Sequence, residues 1–582
     1  MGLHNMKTST NTVLTTKPAV ATDFELNGAQ LTVRLLEQQG ITHIAGIPGG
    51  ANLPLYDALV DSSITHLLTR HEQGAGFIAQ GMARVSGKPQ VCFASSGPGA
   101  TNLITAIADA KMDSVPLIAI TGQVAQSMLG TDAFQEVDTF GLMLPITKHN
   151  YMVRSAQELL SVIPEAFQIA TSGRPGPVAI DIPKDVQLES IVVDKTLPHS
   201  LPDIIPLPDA HAIQGLVQLL SNSKQPILMV GGGAVQSQCH QELLQLAEIQ
   251  QLPIVCSFMG LGVIPSRHPL NLGMLGMHGA RTTNYLLEEC DLLIAAGVRF
   301  DDRATGKASE FCPQAKIVHI DIDASEIDKI KTSHVAIRAD LGATLKQLLA
   351  QTKPMRRTAW IDRVRALQQK FPSLSLRKTQ EKYNELHPYR LLPFLDELTK
   401  QQAIVVTDVG QHQMWTAQAF PFSKPRQWIS SGGLGTMGFG LPAAIGAAIV
   451  EPDRPIICIS GDGSLLMNIQ ELDTLAELQA NVKVIVLNNQ SLGLVRQQQT
   501  LFYNNRHKAL NNSRPLRFAP IAEAMGIRGV DLSNVKDPLA LIRLCFHKPG
   551  PCLIDIPIDE NAKVFPMVPP GAANREMIDE DR

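Results

Sequence analysis

The sequence predicts an α/β fold of three doubly wound domains, each built on a parallel sheet. Two observations lead there. Short apolar runs bounded by Gly-bearing loops alternate with helical patterns along nearly the whole chain, as buried parallel strands and their crossover helices do. The 582 residues also divide at a Pro-rich polar stretch near 197–209 and a charged stretch near 351–385. This leaves blocks of ordinary domain size, the first and third alike in texture.

Composition agrees. Apolar residues make up 44% of the chain and charged residues 18%, which excludes a mostly disordered chain. The 50 Lys and Arg stand against 54 Asp and Glu, so no basic surplus advertises nucleic acid or an anionic membrane. The 5% of aromatics is thin for base stacking. The eight cysteines include no Cys-x-x-Cys pair, the usage of a reduced, cytoplasmic protein with buried thiols. No apolar run approaches the ~18–20 residues of a membrane span.

Residues 1–25 are Thr-rich, with neither an apolar stretch nor an Arg, and read as a disordered tail, not a secretory signal or transit peptide. The first domain is expected over 26–193, with strands at 64–69, 91–94 and 117–120. The second, 205–350, opens with a strand at 226–230 and the turn Val230-Gly-Gly-Gly-Ala-Val235. A charged, helical linker follows over 351–385. The third domain spans 386–560, and 561–582 is a Pro-containing tail.

The strongest chemical signal lies in the third domain. A strand at 456–460 ends in Gly461-Asp-Gly-Ser464, and a helix follows with Leu465, Ile469, Leu472 and Leu475 on one face. The next strand, 482–487, ends in Asn488-Asn489. A right-handed βαβ unit brings both carboxyl ends to one sheet edge, so Asp462 and Asn489, 27 positions apart, converge. A carboxylate, an amide oxygen and a backbone carbonyl such as that of Ser491 suit Mg2+, which fills its remaining shell with phosphate oxygens and water. The N–H groups of Gly463 and Ser464 face the same phosphates. Either half alone reads as a turn or a strand end, but the two on consecutive strands ask for a diphosphate carried by Mg2+. No P-loop sequence occurs. In the first domain, Glu72 follows a strand in Arg70-His-Glu-Gln-Gly-Ala-Gly76. A partly desolvated carboxyl there can share a proton with a heteroaromatic nitrogen, although alone it is an ordinary acid at a helix start.

Gly-Asp-Gly-Ser and Asn-Asn at this separation resemble the thiamine diphosphate motif, and the Glu72 segment resembles the one carrying that superfamily's activating glutamate. Within the superfamily, the chain from about 26 to 573 is similar to acetohydroxyacid (acetolactate) synthase catalytic subunits. Matching stretches are Gly46-Ile-Pro-Gly-Gly50, Ser96-Gly-Pro-Gly-Ala-Thr-Asn102, Gly130-Thr-Asp-Ala-Phe-Gln-Glu136, Ser172-Gly-Arg-Pro-Gly-Pro177, Gly273-Met-Leu-Gly-Met-His-Gly279, Arg299-Phe-Asp-Asp-Arg303 and Gly432-Gly-Leu-Gly-Thr-Met-Gly438.

The resemblance implies a pyrimidine-binding first domain, an FAD-associated central domain and a diphosphate-binding third domain. It implies that Glu72 meets the aminopyrimidine, that the Gly435 carbonyl receives its amino group and that Met437 wedges under the bent cofactor. Gly410, Gln411, His412, Met467 and Gly493 complete the thiamine diphosphate set. Gly50, Phe134 and Gln135 would face the substrate, and Lys184 and Arg299 are the candidates for substrate access and carboxylate binding. The Gly231–Gly233 turn is no G-x-G-x-x-G, because Gln236 takes the last glycine's place, so a nicotinamide site is weakly supported. The resemblance instead implies structural FAD on Arg174, Gly231, Gly232, Gly233, Gly273, Met274, Leu275, Gly276, Met277, His278, Asp321 and Ile322. Asp321 and Asp323 read by themselves as capping residues.

The implied activity is decarboxylation of pyruvate and carboligation to a second pyruvate or 2-oxobutyrate. The family leads one to expect a homodimer or homotetramer and, in many relatives, a small regulatory subunit that senses branched-chain amino acids. Neither nucleic acid nor membrane is expected as a partner. One departure stands out: Gln498 occupies the position where the family commonly has a tryptophan, which implies a weaker preference for 2-oxobutyrate. The rivals are an FAD-dependent pyruvate oxidase and an FAD-free catabolic acetolactate synthase.

Overall fold

A computed structural model describes residues 24–194, 197–201, 204–374, 381–510 and 514–579. The first 23 positions of the expected tail lie outside them, as do parts of the linker and the last three residues. Within 24–193 the strands are β1 (Phe24–Asn27), β2 (His43–Gly46), β3 (Thr65–Leu68), β4 (Gln90–Ala94), β5 (Leu117–Gln123), β6 (His149–Met152), β7 (Val178–Pro183) and β8 (Ser190–Val193). The central strands are β9 (Pro226–Val230), β10 (Ile254–Cys256), β11 (Asn271–Met274), β12 (Leu292–Ala296), β13 (Lys316–Asp321) and β14 (Val335–Arg338). The last six are β15 (Ile404–Thr407), β16 (Trp428–Ile429), β17 (Ile456–Gly461), β18 (Val482–Asn488), β19 (Arg528–Asp531) and β20 (Cys552–Pro557). Apart from a small antiparallel pair of β1 with β8, they form three six-stranded sheets, all parallel. The three-domain α/β architecture is as the sequence predicts.

The first sheet runs β3-β2-β4-β5-β7-β6 and the third β16-β15-β17-β18-β20-β19, which is one and the same order. The central sheet, β11-β10-β9-β12-β13-β14, has the dinucleotide-binding order 3-2-1-4-5-6. Ligand crevices form where the winding reverses, beyond the carboxyl ends of β2 and β4, of β9 and β12, and of β15 and β17.

The first and third domains pack through helix Glu72–Ser86 against helix Gly440–Val450. Close approach needs glycine: a Cβ at Gly81 would strike the Ala443 carbonyl, and one at Gly446 the Ile78 carbonyl. Three segments differ from the sequence reading. The helix expected after Gly461-Asp-Gly-Ser464 is broken into Asp462–Leu465, a short 3-10 turn and Glu471–Leu478. At the break, the Asn468 amide donates to the Gly438 carbonyl at 2.8 Å and to Gln73 at 3.0 Å, so tertiary bonds replace helix continuity. The expected linker holds helix Thr358–Lys370, whose Trp360, Val364 and Leu367 pack on Ile227 and Met229 while the Trp360 indole donates to the Pro226 carbonyl. It is the outer layer of the central domain. The C-terminal segment buries Val564, Met567, Val568 and Ala573 and bonds back to Met277 through the Val568 N–H. All eight cysteines are buried and free.

Candidate active site

The carboxyl edge of the third sheet gathers Asp462, Asn489 and Ser491. Gly461 and Leu487 are register partners, so the two strand ends lie side by side. The Ser491 N–H donates to Asn489 Oδ1 at 3.1 Å and also serves the Asp462 carboxylate, tying the ends together. Burial pushes Asp462 up to about 6, and backbone N–H groups led by that of Gly463 offset it only in part. Asn489 Nδ2 donates to Gln411 Oε1 at 3.1 Å. Gly493 has no room for a Cβ, which would strike Gln411 Oε1 and Asn489 Nδ2. Ser464 Oγ accepts from the Gly461 N–H at 3.2 Å.

Two buried polar atoms here have no partner, His412 Nε2 and Ser491 Oγ. Burial pushes the His412 imidazole down to about 3, so it is neutral, with a backbone hydrogen bond at Asp408 opposing. Gly410 lies against its ring. Unsatisfied buried groups are costly, and these two are placed to bond the polar atoms of a ligand at this edge. A single carboxylate beside amide and carbonyl oxygens fits Mg2+ that draws its other ligands from phosphate. Among the described residues no cluster of three or more His, Cys, Asp or Glu could hold a metal unaided.

Loop 431–438 borders this edge. Gly435 has φ +70° and open space over its Cα: a Cβ there would find Val409 Cγ1 as its nearest neighbour, at 4.0 Å. Met437 is half-buried and reaches to 3.9 Å from the Cβ position of Gly463, while Met467 is 54% exposed. The loop is anchored by groups that sequence reasoning missed. Gly432 and Gly433 N–H donate to Asp113 at 2.9 and 2.7 Å, and the Ser431 and Thr436 hydroxyls donate to Asp109. Arg84 Nη2 bridges both aspartates at 3.1 and 2.9 Å. Behind the loop, Asp408 accepts the N–H groups of Gly438 and Gly440. The one signal in the sequence is Asp109, the single acid of helix Pro98–Met112, with Asp113 at the C-cap of that helix.

Glu72 opens helix Glu72–Ser86, half-buried, and accepts from Asn102 Nδ2 at 2.9 Å. Its Oε1 also lies 3.4 Å from the Cβ position of Gly99, so both of these contacts lie within the first domain. At the same sheet edge stand Gly50, exposed with nothing within 4 Å of a Cβ position, and exposed Gln135, whose φ of +60° sets its backbone against Gly97. Phe134 is 87% exposed. Lys184, half-buried, begins the helix after β7. These residues do not line the crevice that holds Gly435.

That crevice is a cavity of about 900 Å3 lined by residues of all three domains. Of the residues named for FAD, it is lined by Arg174, Gly232, Gly233, Met274, Leu275, Met277, His278, Asp321 and Ile322, and it continues to Arg299, Gly435 and Gln498. Its size and its place at the β9/β12 reversal fit an extended dinucleotide. Gly231, Gly273 and Gly276 do not line it. Gly231 instead lets the turn after β9 pack on the Gly297 carbonyl. Arg174 pairs with Glu326 at 2.6 Å and Asp323 at 3.4 Å, and Asp321 caps its own turn by accepting the Asp323 N–H. Burial lowers His278 to about 4.

Comparison with known proteins bears on this arrangement. Residues 26–142 match the family described as thiamine pyrophosphate enzyme, N-terminal TPP binding domain, 213–348 its central domain and 408–556 its C-terminal TPP binding domain. The chain is 54% identical over 554 residues to acetolactate synthase isozyme 1 large subunit of Escherichia coli (strain K12), covering 95% of this chain and 98% of that one. It is 44% identical to the isozyme 2 large subunit of the same organism, over 95% of this chain and all of that one. It is also 44% identical to the chloroplastic acetolactate synthase of Arabidopsis thaliana, over 99% of this chain and 88% of that one.

Proposed function

Because the chain belongs to the thiamine pyrophosphate enzyme family and, within it, groups with the acetolactate synthase large subunits, we propose that it decarboxylates pyruvate and joins the two-carbon remainder to a second 2-oxo acid, pyruvate or 2-oxobutyrate. The products are CO2 and acetolactate or acetohydroxybutyrate, the first common step toward valine and isoleucine. The observation that carries the reading is the joined edge of Asp462, Asn489 and Ser491 beside His412, whose Nε2 is left without a partner.

Thiamine diphosphate, when bound, supplies the electron sink that lets the carboxylate of a 2-oxo acid leave as CO2. Asp462, Asn489 Oδ1 and the Ser491 carbonyl would hold Mg2+, with Gly463, Ser464, Gln411 and His412 around the phosphates. The Gly435 carbonyl would accept from the aminopyrimidine, Met437 would fix the bend between the rings, and Glu72 would hold a proton at the pyrimidine nitrogen. Gly50, Phe134 and Gln135 would exclude water over the reacting carbons, and Arg299 and Lys184 would meet substrate carboxylates. The central cavity would take FAD as a structural group that neither gains nor loses electrons.

Gly435 lines the cavity and Glu72 does not, and Phe134, Met128, Leu53 and Met467 are exposed apolar residues of these edges. A second copy supplying the missing half covers them, so the working form is a homodimer or a dimer of dimers. The relatives' names as large subunits support a small regulatory partner. None of the described helices is long and apolar enough to cross a membrane, and the buried free thiols support a cytoplasmic location.

The test is acetolactate formation from pyruvate with and without thiamine diphosphate, Mg2+ and FAD. Product formation needing all three supports the reading. Acetate with reduction of oxygen or a dye makes it an oxidase, and full activity of a purified protein without flavin absorbance removes FAD.

A further inference from the structure

We propose that Cys545 and Cys552 form a redox-active dithiol at the amino edge of the third sheet, with Cys552 the reacting sulfur and Cys545 the resolving thiol. The edge lies opposite the one that carries Asp462. Cys552 begins β20 and is register partner to Lys483 on β18 and to Arg528 on β19. Registered neighbours in a parallel sheet project to the same face, so two cations flank one thiol. Arg528 Nε donates to Cys552 Sγ at 3.3 Å, and its Nη2 donates to the Cys545 carbonyl at 2.9 Å. Lys483 Nζ donates to the carbonyls of Lys548 and Gly550 at 2.8 and 2.6 Å. Neither cation has a carboxylate partner among the described residues, which leaves the thiol as the acid that can neutralise them. One guanidinium thus touches both cysteines, and the two thiols bear on each other's titration. The Cys545 hydrogen bond, then Arg528 and Lys483, favour the Cys552 thiolate against burial, while Cys545 is pushed up. Cationic neighbours are what make a cysteine reactive.

A second pair in the same molecule lacks this setting. Cys290 and Cys312 also meet thiol to thiol, but burial pushes Cys312 well above the ordinary range. The nearby Lys331 directs its ammonium to the Ala308 and Phe311 carbonyls. Cys545 sits in the last turn of helix Pro538–His547, beside Leu544, which is 60% exposed, and an exposed turn at 547–549. Opening one terminal turn costs far less than global unfolding and gives a small oxidant access.

With a hydroperoxide as oxidant the chemistry balances. The Cys552 thiolate attacks one peroxide oxygen and the O–O bond breaks. With hydrogen peroxide and one proton this yields Cys552 sulfenic acid and water. The Cys545 sulfur then attacks the sulfenic sulfur, forming the disulfide and releasing a second water. The dithiol gives up two electrons, and two equivalents of a small thiol return them.

The experiment uses the full-length protein with its cofactors, treated with stoichiometric hydrogen peroxide and mapped by mass spectrometry without reduction. A Cys545–Cys552 cross-link that dithiothreitol removes is expected, with Cys290 and Cys312 still reduced. In the untreated protein, iodoacetamide should modify Cys552 about tenfold or more faster than Cys312. Cys545→Ser should leave a dimedone-reactive sulfenic acid on Cys552, and Arg528→Gln should slow its alkylation. Equal alkylation of Cys552 and Cys312 in the folded wild type, or peroxide treatment without the cross-link, overturns the proposal.

Discussion

The first and third sheets have the same strand order and the same reversal point, yet their carboxyl edges carry different chemistry. One presents an acid, Glu72, held by Asn102 beside an open glycine loop. The other presents a buried carboxylate, an amide and two unsatisfied polar atoms. The central sheet, wound differently from both, borders a cavity and neither of these sets. A fold fixes where a ligand can sit, and a few residues at the strand ends decide what it is. Here one fold used twice divides the proposed labour, with the third domain binding and the first activating.

That division can be broken by substitution. Asp462→Ala should have the largest effect: acetolactate formation falls about 10³-fold or more, and calorimetry detects no Mg2+-dependent thiamine diphosphate binding. Retained binding would take the metal away from this edge. Glu72→Gln should cost roughly 10²-fold in kcat while thiamine diphosphate affinity stays within about threefold, because proton transfer fails but the diphosphate site is intact. A loss of affinity as deep as that of Asp462→Ala would merge the two roles.

The uneven legibility of these regions has physical causes. Asp462 and Asn489 lie 27 positions apart on consecutive strands, so βαβ handedness alone places them together. The anchors of loop 431–438 involve Arg84, Asp109 and Asp113, more than 300 positions away, and no local pattern announces such a partner. The break at Asn468 has the same origin, since its amide bonds to Gly438 and Gln73 in preference to its own helix. Helix Thr358–Lys370 reads as a linker because its charges are local and its partner surface is distant in sequence, although Trp360 is a clue to burial. Likewise, Gln236 spoils the glycine fingerprint while the central strand order is nonetheless that of dinucleotide-binding sheets.

A third substitution sharpens the contrast with the central crevice. Gln498 lies on helix Gly493–Phe502 and lines the cavity with Arg299 and Leu494. An indole there would add an apolar wall against which the extra methylene of 2-oxobutyrate packs. Gln498→Trp should raise the acetohydroxybutyrate-to-acetolactate ratio roughly tenfold with both acceptors present, the scale of one methylene. An unchanged ratio would place acceptor choice elsewhere.

The smallest effect concerns the latch between the two like domains. Burial first, and then the charge of Asp113, raise the Asp109 carboxyl to about 6, with Arg84 opposing. In the unfolded chain the same carboxyl loses its proton near pH 4. Between those values the folded protein holds a proton that the unfolded chain has released. The group's contribution to stability is therefore greatest at and below about pH 4 and declines as pH rises to about 6. Asp109→Asn has no such proton, while its amide oxygen still accepts from Ser431 and Thr436. Wild-type stability relative to the variant should accordingly fall by about 2–3 kcal/mol between pH 4 and pH 6.5. Thermal melts at several pH values should show wild-type Tm minus variant Tm decreasing by a few degrees as pH rises. A difference independent of pH would mean that Asp113 carries the proton, with Asp109 charged throughout beside Arg84.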